Sequence, residues 1–94
     1  MIIKYDPDFL AKLKKLDVRI RKSFKKRLTI FIKDPHNPQL NNHALKRNYF
    51  GYRSVDITSD WGAVYAEKTE EMEAVAYFVD IGTHRELYTH LTLV

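Results

Sequence analysis

The sequence predicts an α+β domain of two layers. Two N-terminal helices pack on one face of a small, mainly antiparallel four-stranded sheet, in the order strand, helix, helix, strand, strand, strand (βααβββ). Two observations predict this. Between Asp6 and Asp34 apolar residues recur at helical spacing, with a second capping residue, Asp17, in the middle. From Tyr49 onward the apolar residues instead gather in short segments rich in valine and aromatics, divided by turn-forming residues. With 94 residues the chain is a single domain, 1–94, and a domain of this size buries only about 60–65% of the surface its unfolded chain exposes. The core must be thin.

Met1 to Tyr5 has the apolar, β-compatible character of a short first strand. In Asp6-Pro7, aspartate caps a helix and proline suits its first position, where the missing N–H costs nothing. Phe9, Leu10, Leu13 and Leu16 then predict a short amphipathic helix from Pro7 to about Leu16. Asp17 caps the second helix, whose apolar stripe is Ile20, Phe24, Leu28, Phe31 and Ile32, and Asp34-Pro35 stops it. The stretch from His36 to Lys46 shows no period and reads as an ordered loop carrying Leu40 and Leu45.

Tyr49 to Ile57 returns to strand character. Alternation puts Tyr52, Ser54 and Asp56 on one face and Val55 with Ile57 on the other, so the polar set looks away from the helices. Arg53 shares the parity of the apolar set, which requires it to lie at the strand's edge or beside a bulge. Trp61 to Glu67 is the third strand, and Thr69-Glu70-Glu71 the turn into the fourth. That fourth strand, Met72 to Ile81, is free of proline and glycine and reads as central in the sheet, with Gly82 ending it. Two helices cover only one face, so the other is at least partly open. Ser54, Asp56, Asp60 and the residues after Ile81 are expected to line a shallow groove there.

Composition narrows the function. Hydrophobic residues at 45% and charged residues at 30% are ordinary for a globular protein, and no run approaches the roughly 18 apolar residues of a membrane span. With no secretory signal at the N-terminus and no cysteine, the expected location is the cytoplasm. A net charge of +4 points to a polyanionic partner, nucleic acid or an acidic protein segment. Much of the positive charge lies in the helical region, from Lys12, Lys14 and Lys15 to Lys25, Lys26 and Arg27. Neither a glycine-rich phosphate loop nor a Cys/His spacing suited to zinc occurs, so no cofactor or metal is expected.

The stretch Gly82-Thr83-His84-Arg85-Glu86-Leu87-Tyr88 gathers a histidine, an arginine, a glutamate and a tyrosine at a strand end, an arrangement suited to proton transfer on a polar substrate. If the polar substrate is RNA, its cleavage with the 2′-OH as nucleophile needs a base, an acid for the leaving 5′-oxygen and positive charge on the phosphate between them. A carboxylate within reach of His84, such as Asp60, would favour the imidazolium and so the acid role. His84 is therefore the expected acid, His43 or Asp56 the base, and Arg85 or Arg53 the phosphate contact. His36 and His90 are expected to be solvated.

Gly51-Tyr52-Arg53-Ser54-Val55-Asp56-Ile57, Asp60-Trp61 with Val64-Tyr65, and the Gly82 to Tyr88 stretch together resemble the RelE superfamily of bacterial toxins, most of all its YafQ branch. The resemblance implies a small basic toxin of a type II toxin–antitoxin pair that cuts messenger RNA on the ribosome. Its implied partners are a cognate antitoxin, in a hetero-oligomer, and the ribosome with its message. It also implies catalysis by His84, with His43 and Asp60 in the active site and Tyr88 stacking on a base beside the cut. This chain departs from the branch in having Ser54 and Asp56 where an acidic residue and a second histidine are usual. The change replaces a proton carrier with a pKa of about 6.5 by one of about 3.9. Two other readings on the same fold are a ParE-like inhibitor of gyrase without enzymatic activity and a weakened member that only binds its antitoxin.

Overall fold

The computed structural model describes residues 1–46 and 49–87. In chain order these form β1 (Ile2–Tyr5), α1 (Pro7–Lys15), α2 (Val18–Lys33), a 3-10 turn (Pro38–Leu40), β2 (His43–Ala44), β3 (Tyr52–Asp56), β4 (Trp61–Glu70) and β5 (Glu73–Thr83), followed by helical residues 84–87. The α+β layout stands, but the sheet has five strands in the order β1-β5-β4-β3-β2 rather than four. It is mixed, because β1 runs parallel to β5 while the other neighbours are antiparallel. The added strand, β2, is two residues of the segment read as loop.

Both helices start where the sequence places them. The Asp6 carboxylate accepts from Asp8 N at 2.8 Å and that of Asp17 from Arg19 N at 2.7 Å, each satisfying an orphan N–H of a first turn. The core between helices and sheet is aromatic: Phe78 lies among Tyr5, Phe9, Phe24, Phe31 and Tyr65, with ring centroids 5.4–6.1 Å away. The second helix is tied to the sheet by Arg27, which donates to the carbonyls of Ile57 at 3.2 Å and Gln39 at 2.8 Å.

Several strand limits shift from expectation. β3 begins at Tyr52 rather than Tyr49, and β4 extends to Glu70. The hairpin turn is then Glu71-Met72 rather than Thr69-Glu70-Glu71, with both residues at positive φ (48° and 67°). Gly82 does not end β5, which continues to Thr83 and pairs with Trp61. A register shift leaves Val79 as an extra residue, since Val64 pairs with Asp80 but Tyr65 with Phe78. The bulge lets Phe78 and Ile81, three residues apart, both join the helix-side core. Arg53 lies opposite Tyr65, beside this irregularity, as its parity requires.

The face away from the helices is partly covered. Leu45, Val64 and Leu87 are buried there together, flanked by Tyr49, Tyr52 and Val79. Ser54 is only 1% exposed, so it lies beneath this face and does not line an open groove. Among the described residues no helix is long and apolar enough to cross a membrane.

Candidate active site

Three local structures bring the polar residues of this face together. The first is the turn between β3 and β4, where Thr58 Oγ1 accepts from the backbone N–H groups of Asp60 and Trp61, both at 3.1 Å. The second is the end of the 3-10 turn, where Asn41 takes left-handed backbone (φ 46°, ψ 48°) and turns the chain into β2. The third follows β5. Thr83 and Glu86 form a capping box: Glu86 N donates to Thr83 Oγ1 at 3.1 Å, and the Glu86 carboxylate accepts from Thr83 Oγ1 at 3.0 Å and Thr83 N at 3.4 Å. Glu86 therefore starts the helical turn and is not a free acid for chemistry. Leu87 anchors that turn in the apolar cluster.

This turn aims His84 at β3. Its backbone N–H donates to the Asp60 carbonyl at 2.7 Å, and its Nε2 stands 3.1 Å from Asp56 Oδ1. The two side chains are 23% and 22% exposed, so the pair is screened from bulk water but reachable. The pairing differs from expectation, in which Asp60 supplied the carboxylate. Asp60 contributes its carbonyl, and among the described residues no ion pair joins its side chain to His84.

The other Asp56 oxygen, Oδ2, accepts from the Asn41 amide at 3.4 Å. The Asn41 carbonyl lies 2.8 Å from His43 Nδ1. A carbonyl can only accept, so Nδ1 carries the hydrogen, and in the neutral ring the lone pair is on Nε2. His43 in turn pairs across the sheet with Ser54. His43, Asn41 and Asp56 are thus joined by hydrogen bonds, and Asp56 meets His84 at ion-pair distance, outside hydrogen-bond geometry, above the buried Ser54 hydroxyl, which has no hydrogen-bond partner among the described residues.

The remaining expected site residues fall differently. Arg85 is exposed on the capped turn beside His84. Arg53 is not with the cluster: on the helix-side parity of β3, its Nε donates to Asn42 Oδ1 at 2.8 Å. Asn42 also donates to the Pro35 carbonyl and the Tyr65 hydroxyl, both at 2.8 Å, so Arg53 belongs to a structural network. Tyr88 and His90 lie outside the described residues. His36 is exposed, as expected.

Sequence reasoning missed Asn41 and Gly62. An asparagine after a 3-10 turn is one of the few residues that tolerate left-handed backbone, and a glycine inside a strand often marks the close approach of another group. Both signals are present in the sequence but unspecific.

Residues 1–89 match the family described as bacterial toxin of type II toxin–antitoxin system, YafQ. A YoeB/ParE toxin from Agrobacterium tumefaciens superposes with a TM-score of 0.72 at 17% identity, over 89% of this chain and 99% of that one. YafQ from E. coli strain BL21(DE3) gives 0.66 at 24% identity, over 92% and 96%. The RelB–RelE antitoxin–toxin complex from Methanococcus jannaschii gives 0.63 at 16% identity, over 93% and 96%. No curated protein matches the chain.

Proposed function

The chain belongs to the YafQ family of bacterial toxins of type II toxin–antitoxin systems, and from that premise we propose that it is an endoribonuclease that cuts messenger RNA during translation by metal-independent acid–base catalysis. The observation that carries the reading is the path from His43 through Asn41 and Asp56 to His84, two imidazoles linked on the face the helices leave uncovered.

The chemistry follows from the tautomers and contacts. Nε2 of neutral His43 accepts the proton of a ribose 2′-OH as its oxygen attacks the adjacent phosphorus. The bond from phosphorus to the 5′-oxygen breaks, leaving a 2′,3′-cyclic phosphate, and protonated His84 supplies the proton to that oxygen. His84 and Asp56 form an ion pair when the ring carries its second proton, so the carboxylate holds the acid in place. That pairing leaves the base role to His43 rather than Asp56. Arg85, exposed on the next residue, meets the phosphate as negative charge builds on it. Tyr88 retains its expected stacking role, and Asp60 serves through its backbone.

The family premise and the RelB–RelE relative support a cognate antitoxin as protein partner. The ribosome with its message is the proposed target, which sets the site of action in the cytoplasm. The test is to induce the protein without antitoxin, pulse-label protein and DNA synthesis, and map message ends. Protein synthesis falls and new cuts appear in translated messages; His84→Ala lowers cleavage by about 10²- to 10⁴-fold. Full arrest by His84→Ala removes that residue from the mechanism. Loss of DNA synthesis with messages intact replaces nuclease by a gyrase inhibitor.

A further inference from the structure

Gly62 is the second residue of β4, paired on both sides, where glycine weakens a strand and a larger residue is normally favoured. Its backbone is not in the left-handed region, so the conformation does not require glycine. What requires it is the space above its Cα. A Cβ built there would lie 3.3 Å from His84 Cδ2, 3.4 Å from His84 Nε2 and 3.4 Å from Leu87 Cδ1. The imidazole rests on bare backbone. In register, Gly62 sits between Asp56 on β3 and Gly82 on β5, so the ring that lies over Gly62 reaches Asp56 directly. The two glycines differ in what they admit: the nearest atoms to a Cβ on Gly82 belong to Glu86 and Leu87, at ordinary contacts of 3.5–3.6 Å.

We infer that Gly62 is a positioning residue, whose missing side chain seats the His84 imidazole against Asp56. The inference rests on the nuclease reading only for its activity readout. At 3.3–3.4 Å a methyl group forces a small displacement of the ring, and the branched side chain of valine forces a large one. Since Asp56 lies 3.1 Å from Nε2, a large displacement breaks the pair.

The test compares Gly62→Ala, Gly62→Val, Gly82→Ala and Asp56→Asn with the wild type in message cleavage, in Tm and in the NMR signals of the His84 ring nitrogens. Gly62→Val is expected to lose cleavage about 10²-fold or more, as removal of an acid does, with Gly62→Ala between it and wild type. Tm stays near wild type in Gly62→Ala and falls in Gly62→Val, whose side chain also presses on Leu87. The His84 ring signals in Gly62→Val shift in the direction seen in Asp56→Asn, whereas Gly82→Ala keeps both cleavage and signals. Wild-type cleavage in Gly62→Val, or His84 signals unmoved by either substitution at 62, overturns the inference. Should Gly62→Val not fold, Gly62→Ala decides through the ring signals. Messages left uncut by the wild type would defeat the nuclease reading alone, because the ring signals report the seating of His84 without any turnover.

Discussion

Asn41 holds both ends of the proposed acid–base pair, its carbonyl bonded to His43 and its amide to Asp56, and it does so from left-handed backbone. Backbone and amide are separable by mutation. Asn41→Gly keeps the conformation at no steric cost and removes the amide, so Tm stays near wild type while cleavage falls about tenfold, the equivalent of one modest hydrogen bond to a charged group. Asn41→Ala loses the same bond and adds about 1–2 kcal/mol of backbone strain, visible as a lower denaturation midpoint. Equal cleavage by wild type and Asn41→Gly would show that the amide does not steady Asp56. None of this was legible from the residue itself, since Asn37 and Asn42 stand close by in the same loop. Alternation along β3 did place Asp56 on the uncovered face, and the residue singled out in the ending motif, His84, lies beside it. Their meeting depends on how the chain folds back after Thr83, which a capping box and the bare backbone of Gly62 decide together.

At the scale of elements, the helices were legible because local chemistry fixes them: an aspartate cap, a periodic stripe, and a stop at Asp34-Pro35. The two-residue β2 was not, because its strand character comes from pairing with β3 and not from any period of its own. The bulge at Val79 was equally hidden, being a compromise between two pairing registers. The hairpin shows a conflict between sequence and structure. Glu71 and Met72 occupy the two positive-φ positions of a tight turn that asparagine and glycine fill best, and the Met72 side chain is 99% exposed, so it contributes no packing. Replacing the pair by Asn-Gly relieves backbone strain and is expected to add about 1–2 kcal/mol of stability. In a domain this small that raises Tm by about 4–8 °C per kcal/mol, readable by calorimetry. In the opposite direction, Asn42→Ala strands Arg53 and the Tyr65 hydroxyl and should cost about 1–3 kcal/mol in chemical denaturation. If Asn42→Ala instead abolished cleavage at full stability, Arg53 would return to the list of substrate contacts.

Over the whole molecule, the two sides of the sheet are built for different tasks. The helix side holds the aromatic core, and the other holds a small apolar cluster that leaves the polar path at its margin. The positive charge does not follow this division. Lys22, Lys25 and Lys26 are exposed on α2 and, with Thr29, border a depression of about 310 Å³, while Arg27, next along the helix, is committed to the carbonyls of Ile57 and Gln39. Three lysines without structural work on a helix of a basic protein fit electrostatic contact with RNA phosphates. Reversing all three to glutamate is expected to leave the fold intact and weaken binding to RNA. The logarithm of the affinity then falls less steeply with the logarithm of salt, by about one unit of slope for each lysine that touches a phosphate. The comparison that isolates this surface is a second triple reversal at the exposed residues Lys14, Lys15 and Lys68, which changes net charge equally. A greater loss of slope for the α2 set places RNA on that helix; equal losses reduce the effect to net charge, and an unchanged slope leaves these lysines as a solvated face.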